Sequence, residues 1–260
     1  MLSLHRHRQT FRQVRDHFVG LPAATQLSLA ATIPVLIVLQ EHPDIALIIE
    51  SGITLPPHER WMLYQAHRGA GTNVTVASRG TSKSSVICGL YQTYKNAHFA
   101  RRSSMTLSAT GFRGGQTIFM DIERWLRGGW DSQIPGINIL RAAVPRQSIL
   151  MRGQTHWSID FDSMSSARTL PTKDLDAIRG QRANDLYIDE ANTTSRELID
   201  TVAKPFLNVK GDFLHGGALA DQNQVYYTTT IDYGWRAFQD RVRAAREGLE
   251  RDILALQASR

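Results

Sequence analysis

Residues 74–84 read Val-Thr-Val-Ala-Ser-Arg-Gly-Thr-Ser-Lys-Ser, a β-branched run followed by small residues, a lysine and a serine. The run Val74–Ala77 predicts a strand, and the apolar spacing of Ser84–Asn96 predicts a helix directly after the loop. A strand that turns through a short loop into a helix points the loop amides and the helix N-terminus at one place, where the helix dipole favours negative charge. This stretch therefore predicts a phosphate-binding loop within an α/β fold.

The loop carries the groups that a nucleotide phosphate and its magnesium ion require. We expect Lys83 to reach the outer phosphates and Ser84 to hold Mg²⁺ through its hydroxyl. The match to the pattern G-x-x-x-x-G-K-[S/T] is incomplete, because Ala77 and Ser82 occupy its two glycine positions. This departure leaves open a chain that binds nucleotides without hydrolysing them. The predicted nucleotide-binding residues of the loop are Ser78, Arg79, Gly80, Thr81, Ser82, Lys83, Ser84 and Ser85.

A second short strand further along the chain ends in two acids. Leu186–Ile188 is an apolar run typical of a buried parallel strand, and Asp189 and Glu190 follow it. We expect Asp189 to hold Mg²⁺ and Glu190 to act as general base toward the attacking water. An apolar run followed by two acids is common by itself. Its combination with the lysine loop, however, predicts a magnesium-dependent nucleotide hydrolase.

Short apolar runs and helical stretches alternate on both sides of these motifs. The patterns predict strands at Ser104–Ala109, His156–Phe161 and Val225–Thr229, and a helix over Gly115–Leu126 with one apolar face. Strands separated by helices imply right-handed crossover connections. The predicted fold is therefore α/β, with a central, mostly parallel β-sheet flanked by helices.

Composition limits the classes of protein that fit. A chain of 260 residues with 42% hydrophobic residues is sufficient for one large globular α/β domain. The 30 Lys and Arg residues against 24 Asp and Glu give a net charge of +6, which favours a polyanionic partner without proving one. Cys88 is the single cysteine, which excludes a disulfide framework and a cysteine-based zinc cluster within the chain. We expect Cys88 to lie in the core behind the phosphate loop.

Together, these motifs resemble the ATPase half of the large terminase subunit of tailed bacteriophages. Arg79 stands four positions before the loop lysine, as an arginine does in that family, and Leu107–Thr110 is similar to the segment after the family's second core strand. Ala177–Gly180 resembles its Arg-Gly element before the acidic strand, and Tyr227–Thr230 resembles its coupling motif. The resemblance extends over Leu55–Val242, which is most of the chain.

The resemblance implies a P-loop fold of the ASCE type, with ATP and Mg²⁺ as cofactors. It implies that Arg179 acts in trans as a catalytic finger on the ATP of a neighbouring subunit, because the transition state spreads charge over the phosphate oxygens. Arg182 is the alternative for this role. The other implied catalytic residues are Lys83 and Glu190. The residues that would couple hydrolysis to movement are Thr228, Thr229 and Thr230.

The implied activity is ATP hydrolysis that moves double-stranded DNA into a viral procapsid. The implied partners are the DNA backbone, contacted without sequence specificity, the capsid portal, the small terminase subunit, and further copies of the chain in a pentameric ring. The implied location is the host cell cytoplasm, at the procapsid portal. Two other interpretations stay open: a different, helicase-like ASCE nucleic-acid translocase, and the non-catalytic nucleotide-binding protein described above.

Two departures from the family pattern concern the base and the domain organisation. The residue that best aligns with the family's adenine-reading glutamine is Glu59, with Gln65 as the alternative, and a carboxylate cannot donate a hydrogen bond as an amide does. After Glu190 the acids are scattered, so we expect nuclease activity only in a longer parent protein. We predict three regions: a helical region over 1–54, the P-loop ATPase core over 55–232, and a helix over 233–260 that leads toward a missing nuclease domain.

Overall fold

The computed structural model describes residues 37–69, 71–99, 102–126, 150–153, 156–170, 183–194, 198–199, 207, 223–230, 243 and 246–247. The chain separates into two units, Met1–His42 and Pro43–Arg260. In the first unit, the described residues 37–41 are helical. The elements named below all belong to the second unit.

Helices of two hydrogen-bonding types are described in this unit. They are α1 (Pro43–Ser51), α2 (Pro57–Arg68), α3 (Ser84–Tyr91), α4 (Gln92–His98) and α5 (Phe112–Leu126). Pro57 suits the start of α2, because the first residue of a helix has no intrahelical partner for an amide hydrogen. α3 has the wide turn of a π-helix and runs directly into α4. The predicted apolar face of α5 is confirmed, since its members are buried: Ile118, Phe119, Ile122 and Leu126.

The described strands form one sheet in the order β1-β7-β6-β2-β5-β4-β3. They are β1 (Thr72–Ala77), β2 (Ser103–Ser108), β3 (Met151–Arg152), β4 (Trp157–Asp160), β5 (Ser166–Thr169), β6 (Asp185–Asp189) and β7 (Gln224–Thr230). The strands from β1 to β5 in this order pair in parallel, and β4 and β3 extend the sheet as antiparallel strands. The predicted mostly parallel sheet is therefore confirmed.

Several elements are missing from the sequence prediction. β3 is two residues long, and β5 reads Ser-Ala-Arg-Thr, which has no apolar alternation to mark a strand. The turn between β4 and β5 contains Met164 in the left-handed conformation (φ 61°), an unusual conformation that the sequence does not signal. The predicted single helix over Ser84–Asn96 is an α3–α4 pair. These misses leave the order of the predicted motifs unchanged.

Parallel pairing brings the carboxyl ends of the central strands to one edge of the sheet. In the register, Ala77 of β1 lies beside Thr230 of β7, and Ser108 of β2 lies beside Asp189 of β6. β7 lies between β1 and β6, so the end of β7 separates the phosphate loop from the acidic pair. Ligands of open α/β sheets bind at this edge, which places a candidate site there.

The opposite edge of the sheet is closed by a buried charge cluster. Asp185, the first residue of β6, accepts hydrogen bonds from Lys95 Nζ at 2.7 Å and from Arg102 Nε and Nη2 at 2.7 and 2.9 Å. Lys95 also donates to Gln224 Oε1 at 2.7 Å. Burial alone raises the pKa of Asp185, but the Lys95 and Arg102 charges outweigh it and hold the pKa below its ordinary value. The cluster thus ties α4 to the starts of β6 and β7.

Several predictions concern residues outside the described part of the chain. Among them are most of the helical region over 1–54, the arginine finger Arg179 and its alternative Arg182. Of the predicted helix over 233–260, only residues 243 and 246–247 are described, and these are helical. The three region boundaries stay predictions. Within the described residues, no helix combines the length and apolarity that crossing a bilayer requires.

Candidate active site

The phosphate loop is a short turn between β1 and α3 with left-handed residues. Gly80 and Ser82 have φ angles of 81° and 56°. Thr81 Oγ1 donates to the carbonyl oxygen of Ser78 at 2.8 Å, and the Val86 amide donates to that of Ser82 at 2.8 Å. Ser82 stands where the nucleotide-loop pattern has its second glycine, and its backbone adopts the conformation that glycine favours. The incomplete motif therefore keeps the backbone shape that the pattern requires.

We predict that Ser82→Gly raises the free energy of unfolding by about 1 kcal/mol, because a non-glycine residue in the left-handed region is strained. Chemical denaturation measures the change. The matched control is Ser85→Gly inside α3, which should lower the free energy of unfolding by about 0.5–1 kcal/mol because glycine weakens helices. If Ser82→Gly also lowers it, the Ser82 side chain makes a stabilising contact that outweighs the backbone strain.

Lys83 lies buried at the end of the loop and faces the acidic pair. Its Nζ is 3.4 Å from Glu190 Oε1, although the two residues are far apart in the sequence. Only 6% of Lys83 is exposed, so its ammonium is held at the mouth of the site rather than in solvent. The structure therefore brings the predicted phosphate ligand and the predicted general base into contact.

Asp189 is the meeting point of three elements. Ser84 Oγ donates to Asp189 Oδ1 at 2.5 Å, and Thr228 Oγ1 donates to the same oxygen at 2.7 Å. Hydroxyl and carboxylate oxygens are the ligands that Mg²⁺ prefers, and proteins hold this ion with one or two such groups plus substrate phosphates. Within the described residues, no cluster of His, Cys, Asp and Glu is large enough to hold a metal ion by itself. The donor set fits a magnesium ion that arrives with a nucleotide.

Glu190 is held by the end of β7. Thr230 Oγ1 donates to Glu190 Oε1 at 2.9 Å, and the Thr230 amide donates to Oε2 at 3.3 Å. The backbone of Glu190 is left-handed (φ 50°), and its carbonyl oxygen accepts from the Thr193 amide at 3.0 Å. The turn after β6 thus aims the carboxylate at β7 and Lys83.

Alternation along β7 divides the predicted coupling residues between the two faces of the sheet. Thr228 and Thr230 reach Asp189 and Glu190 respectively. Thr229 points to the other face, where its buried hydroxyl has no hydrogen-bond partner. Two of the three predicted residues therefore touch the acids directly, a contact that the sequence pattern does not reveal.

Cys88 closes the rear of the site from α3. It is fully buried, as predicted, and its Sγ lies 3.8 Å from Thr228 Oγ1. Burial raises the pKa of the thiol well above its ordinary value, and the negative charge of Asp189 raises it further. The residue is therefore a neutral packing group and not a nucleophile.

A cavity of about 340 Å³ opens beside the phosphate loop. Its lining includes Glu59 from the first turn of α2, and Ser82 and Ser85 from either side of the phosphate ligands. Gln65, the alternative base-reading residue, is exposed and does not line the cavity. The sequence predicts Glu59 but misses the apolar walls, whose signal is the turn before Pro57. These walls are Ile53, Leu55, Pro56, Val86 and Leu90.

The remaining predicted site residues are less well placed. Ser78, Arg79 and Gly80 are exposed on the outer side of the loop, and Thr81 is half-buried. Ser85 Oγ lies 3.4 Å from Asp121 Oδ2 of α5, which orients it across the start of α3. Arg179 lies outside the described residues. The structure therefore gathers one cation, two acids and three hydroxyls at one edge of the sheet.

A loop lysine that faces an acidic strand, with another strand between them in a mostly parallel sheet, defines a P-loop fold of the ASCE type. Solved structures share this fold. The chain is similar to the large terminase ATPase domain of Thermus phage P74-26, with 12% sequence identity and a TM-score of 0.51 over 75% of this chain and 73% of that chain. The predicted resemblance to phage large-terminase ATPase domains is thus confirmed for the fold.

A second similar structure is the large terminase of another thermophilic bacteriophage. It has 10% sequence identity and a TM-score of 0.49, covering 68% of this chain and 39% of that chain. The same terminase in complex with ATP-gamma-S has a TM-score of 0.47 at 10% identity, covering 68% and 38% of the two chains. The chain therefore spans less than half of this second terminase. No family profile and no curated protein sequence matches it.

Proposed function

We propose that this chain is a magnesium-dependent ATP hydrolase and the motor domain of a DNA-packaging terminase large subunit. The observation that supports it best is the meeting of Lys83, Ser84, Asp189 and Glu190 at the carboxyl edge of the sheet, from segments far apart in the sequence. These are a phosphate ligand, two magnesium ligands and a general base in mutual reach. Phosphoryl transfer needs these groups in such an arrangement.

The contacts suggest how the residues share the work. Lys83 would hold the outer phosphates, and in doing so would leave its 3.4 Å contact with Glu190. That change frees the carboxylate to take a proton from the attacking water. Ser84 and Asp189 would hold Mg²⁺, which when bound neutralises charge on the phosphates. Nucleotide binding and base activation are in this way linked through one ion pair.

The motor role rests on β7. Thr228 and Thr230 bind the two acids through side-chain hydrogen bonds, so a change at Asp189 or Glu190 reaches a strand that runs the depth of the sheet. The net charge of +6 suits a DNA backbone. We extend the proposal to an assembly of further copies in a pentameric ring, with Arg179 acting in trans, at the capsid portal in the host cytoplasm and with a small terminase subunit.

Lys83→Ala is the variant that tests the hydrolase. Removal of a charged hydrogen bond should weaken ATP binding by about 10- to 100-fold, since such a bond contributes about 1.5–3 kcal/mol. The measurement is ATP turnover and ATP affinity with and without Mg²⁺, at several protein concentrations, with and without double-stranded DNA. The matched control is Arg68→Ala, which removes an exposed cation on α2 and should change neither quantity.

The outcomes separate the interpretations. Turnover that needs Mg²⁺, rises faster than linearly with protein concentration and is stimulated by double-stranded DNA supports the ring motor. Turnover stimulated by single-stranded nucleic acid instead favours the helicase-like translocase. Nucleotide binding without turnover by the wild type favours the non-catalytic protein.

A further inference from the structure

The cavity beside the phosphate loop is continuous with the residues proposed to hold phosphate. Ser82 and Ser85, on its wall, immediately flank Lys83 and Ser84 in the chain. Its volume of about 340 Å³ is at the lower end of the roughly 300–1,000 Å³ range of ligand pockets. A nucleotide with its phosphates at Lys83 therefore has space for its base here. The inference below rests on the proposed function in this respect.

Most of the cavity wall does not distinguish one base from another. Leu55, Pro56, Val86 and Leu90 give apolar contact to any purine face. The other polar lining groups besides Glu59 are the hydroxyls of Thr54, Ser82 and Ser85, and a hydroxyl rotates to donate or to accept. Discrimination between bases must therefore come from a group of fixed hydrogen-bonding character.

Glu59 is the lining group with that fixed character. It is half-buried in the first turn of α2, and within the described part of the chain its carboxylate has no hydrogen-bond or salt-bridge partner. The neighbouring Arg60 is engaged elsewhere, with its Nε 2.9 Å from Asp44 Oδ2. An ionised carboxylate offers two acceptor oxygens and no donor. Glu59 thus requires a base that presents donors.

We propose that Glu59 makes this cavity select guanine nucleotides over adenine nucleotides, so that GTP is a substrate as well as ATP and the better one. Guanine presents two adjacent donors, N1–H and the N2 amino group, which match the two oxygens of one carboxylate. Adenine presents one amino group flanked by ring nitrogens that only accept. One carboxylate oxygen would then face a lone pair in the adenine complex, and an unmatched polar contact in a pocket is costly.

The experiment compares GDP with ADP binding and GTP with ATP turnover, for the wild type and Glu59→Gln. We expect the wild type to favour the guanine nucleotide by about 10-fold or more, because a hydrogen bond to a charged group contributes about 1.5–3 kcal/mol. Glu59→Gln should shift the ratio of affinities toward adenine by a similar factor, since an amide both donates and accepts. The matched control is Asp162→Asn, which neutralises an exposed carboxylate in the β4–β5 turn and should leave the ratio unchanged.

The readouts keep this inference separate from the proposed function. If GDP binds preferentially but no nucleotide is hydrolysed, the hydrolase proposal is wrong and the base selection stands. If the wild type and Glu59→Gln have the same ratio of GDP to ADP affinity, Glu59 does not read the base, whatever the turnover. Glu59→Ala gives a second check: it should lose the guanine preference without gaining one for adenine. Failure of both nucleotides to bind would overturn both proposals.

Discussion

Glu190→Gln is expected to lower the rate of nucleotide hydrolysis by about 10²- to 10⁴-fold, the contribution of a positioned general base. The reason is the placement of the carboxylate, which the turn after β6 and the hydrogen bonds from Thr230 aim at the phosphate side of the site. An amide keeps an oxygen that accepts from Thr230 but cannot take a proton. Single-turnover hydrolysis and nucleotide affinity, measured on the same samples, separate the chemical step from binding.

The control for Glu190→Gln is Glu123→Gln on α5, which changes a carboxylate paired with Arg152 and should leave turnover unchanged. Nucleotide affinity of Glu190→Gln should stay within a few-fold of wild type or increase, because Lys83 loses a competing anion at 3.4 Å. Turnover close to that of the wild type would show that another group activates the water. It would leave Glu190 as a partner that only positions Thr230.

Asp185→Asn is expected to lower the free energy of unfolding by about 3–5 kcal/mol, the usual cost of leaving a buried charge without its partner. Asp185 is fully buried and is the carboxylate that Lys95 and Arg102 share, so its loss leaves two buried cations uncompensated. The measurement is denaturant unfolding at neutral pH. Asp160→Asn, at an exposed position at the end of β4, should change the value by no more than about 0.5 kcal/mol.

Two further measurements test the cause of the Asp185 effect. Adding Lys95→Met to Asp185→Asn should recover part of the loss, since contacting residues couple by about 0.5–3 kcal/mol. Because the folded-state pKa of Asp185 lies below its ordinary value of 3.8, its contribution is complete above that pH and declines as the pH falls below it. The stability difference between wild type and Asp185→Asn should therefore shrink in acid. An additive double variant and a constant difference would contradict the cluster.

Local patterns were sufficient for the elements that carry the chemistry. The loop before Lys83 and the run before Asp189 are contiguous segments, in which strand and helix periods and the position of each polar group can be read without knowledge of the fold. The short strand β5 and the π-type turn of α3 could not be predicted in this way. Their formation depends on pairing and packing against distant segments, which override local preference.

The sequence by itself determined the α/β class, the phosphate loop, the acidic pair and the hydroxyl-rich end of β7, because each is encoded by the spacing of adjacent residues. Only the tertiary structure decided that β7 lies between β1 and β6, that Lys83 contacts Glu190, and that Asp185 is buried between two cations. The physical reason is that parallel pairing joins strands remote in the chain. Which side chains then meet depends on register and strand order, and no local pattern records either.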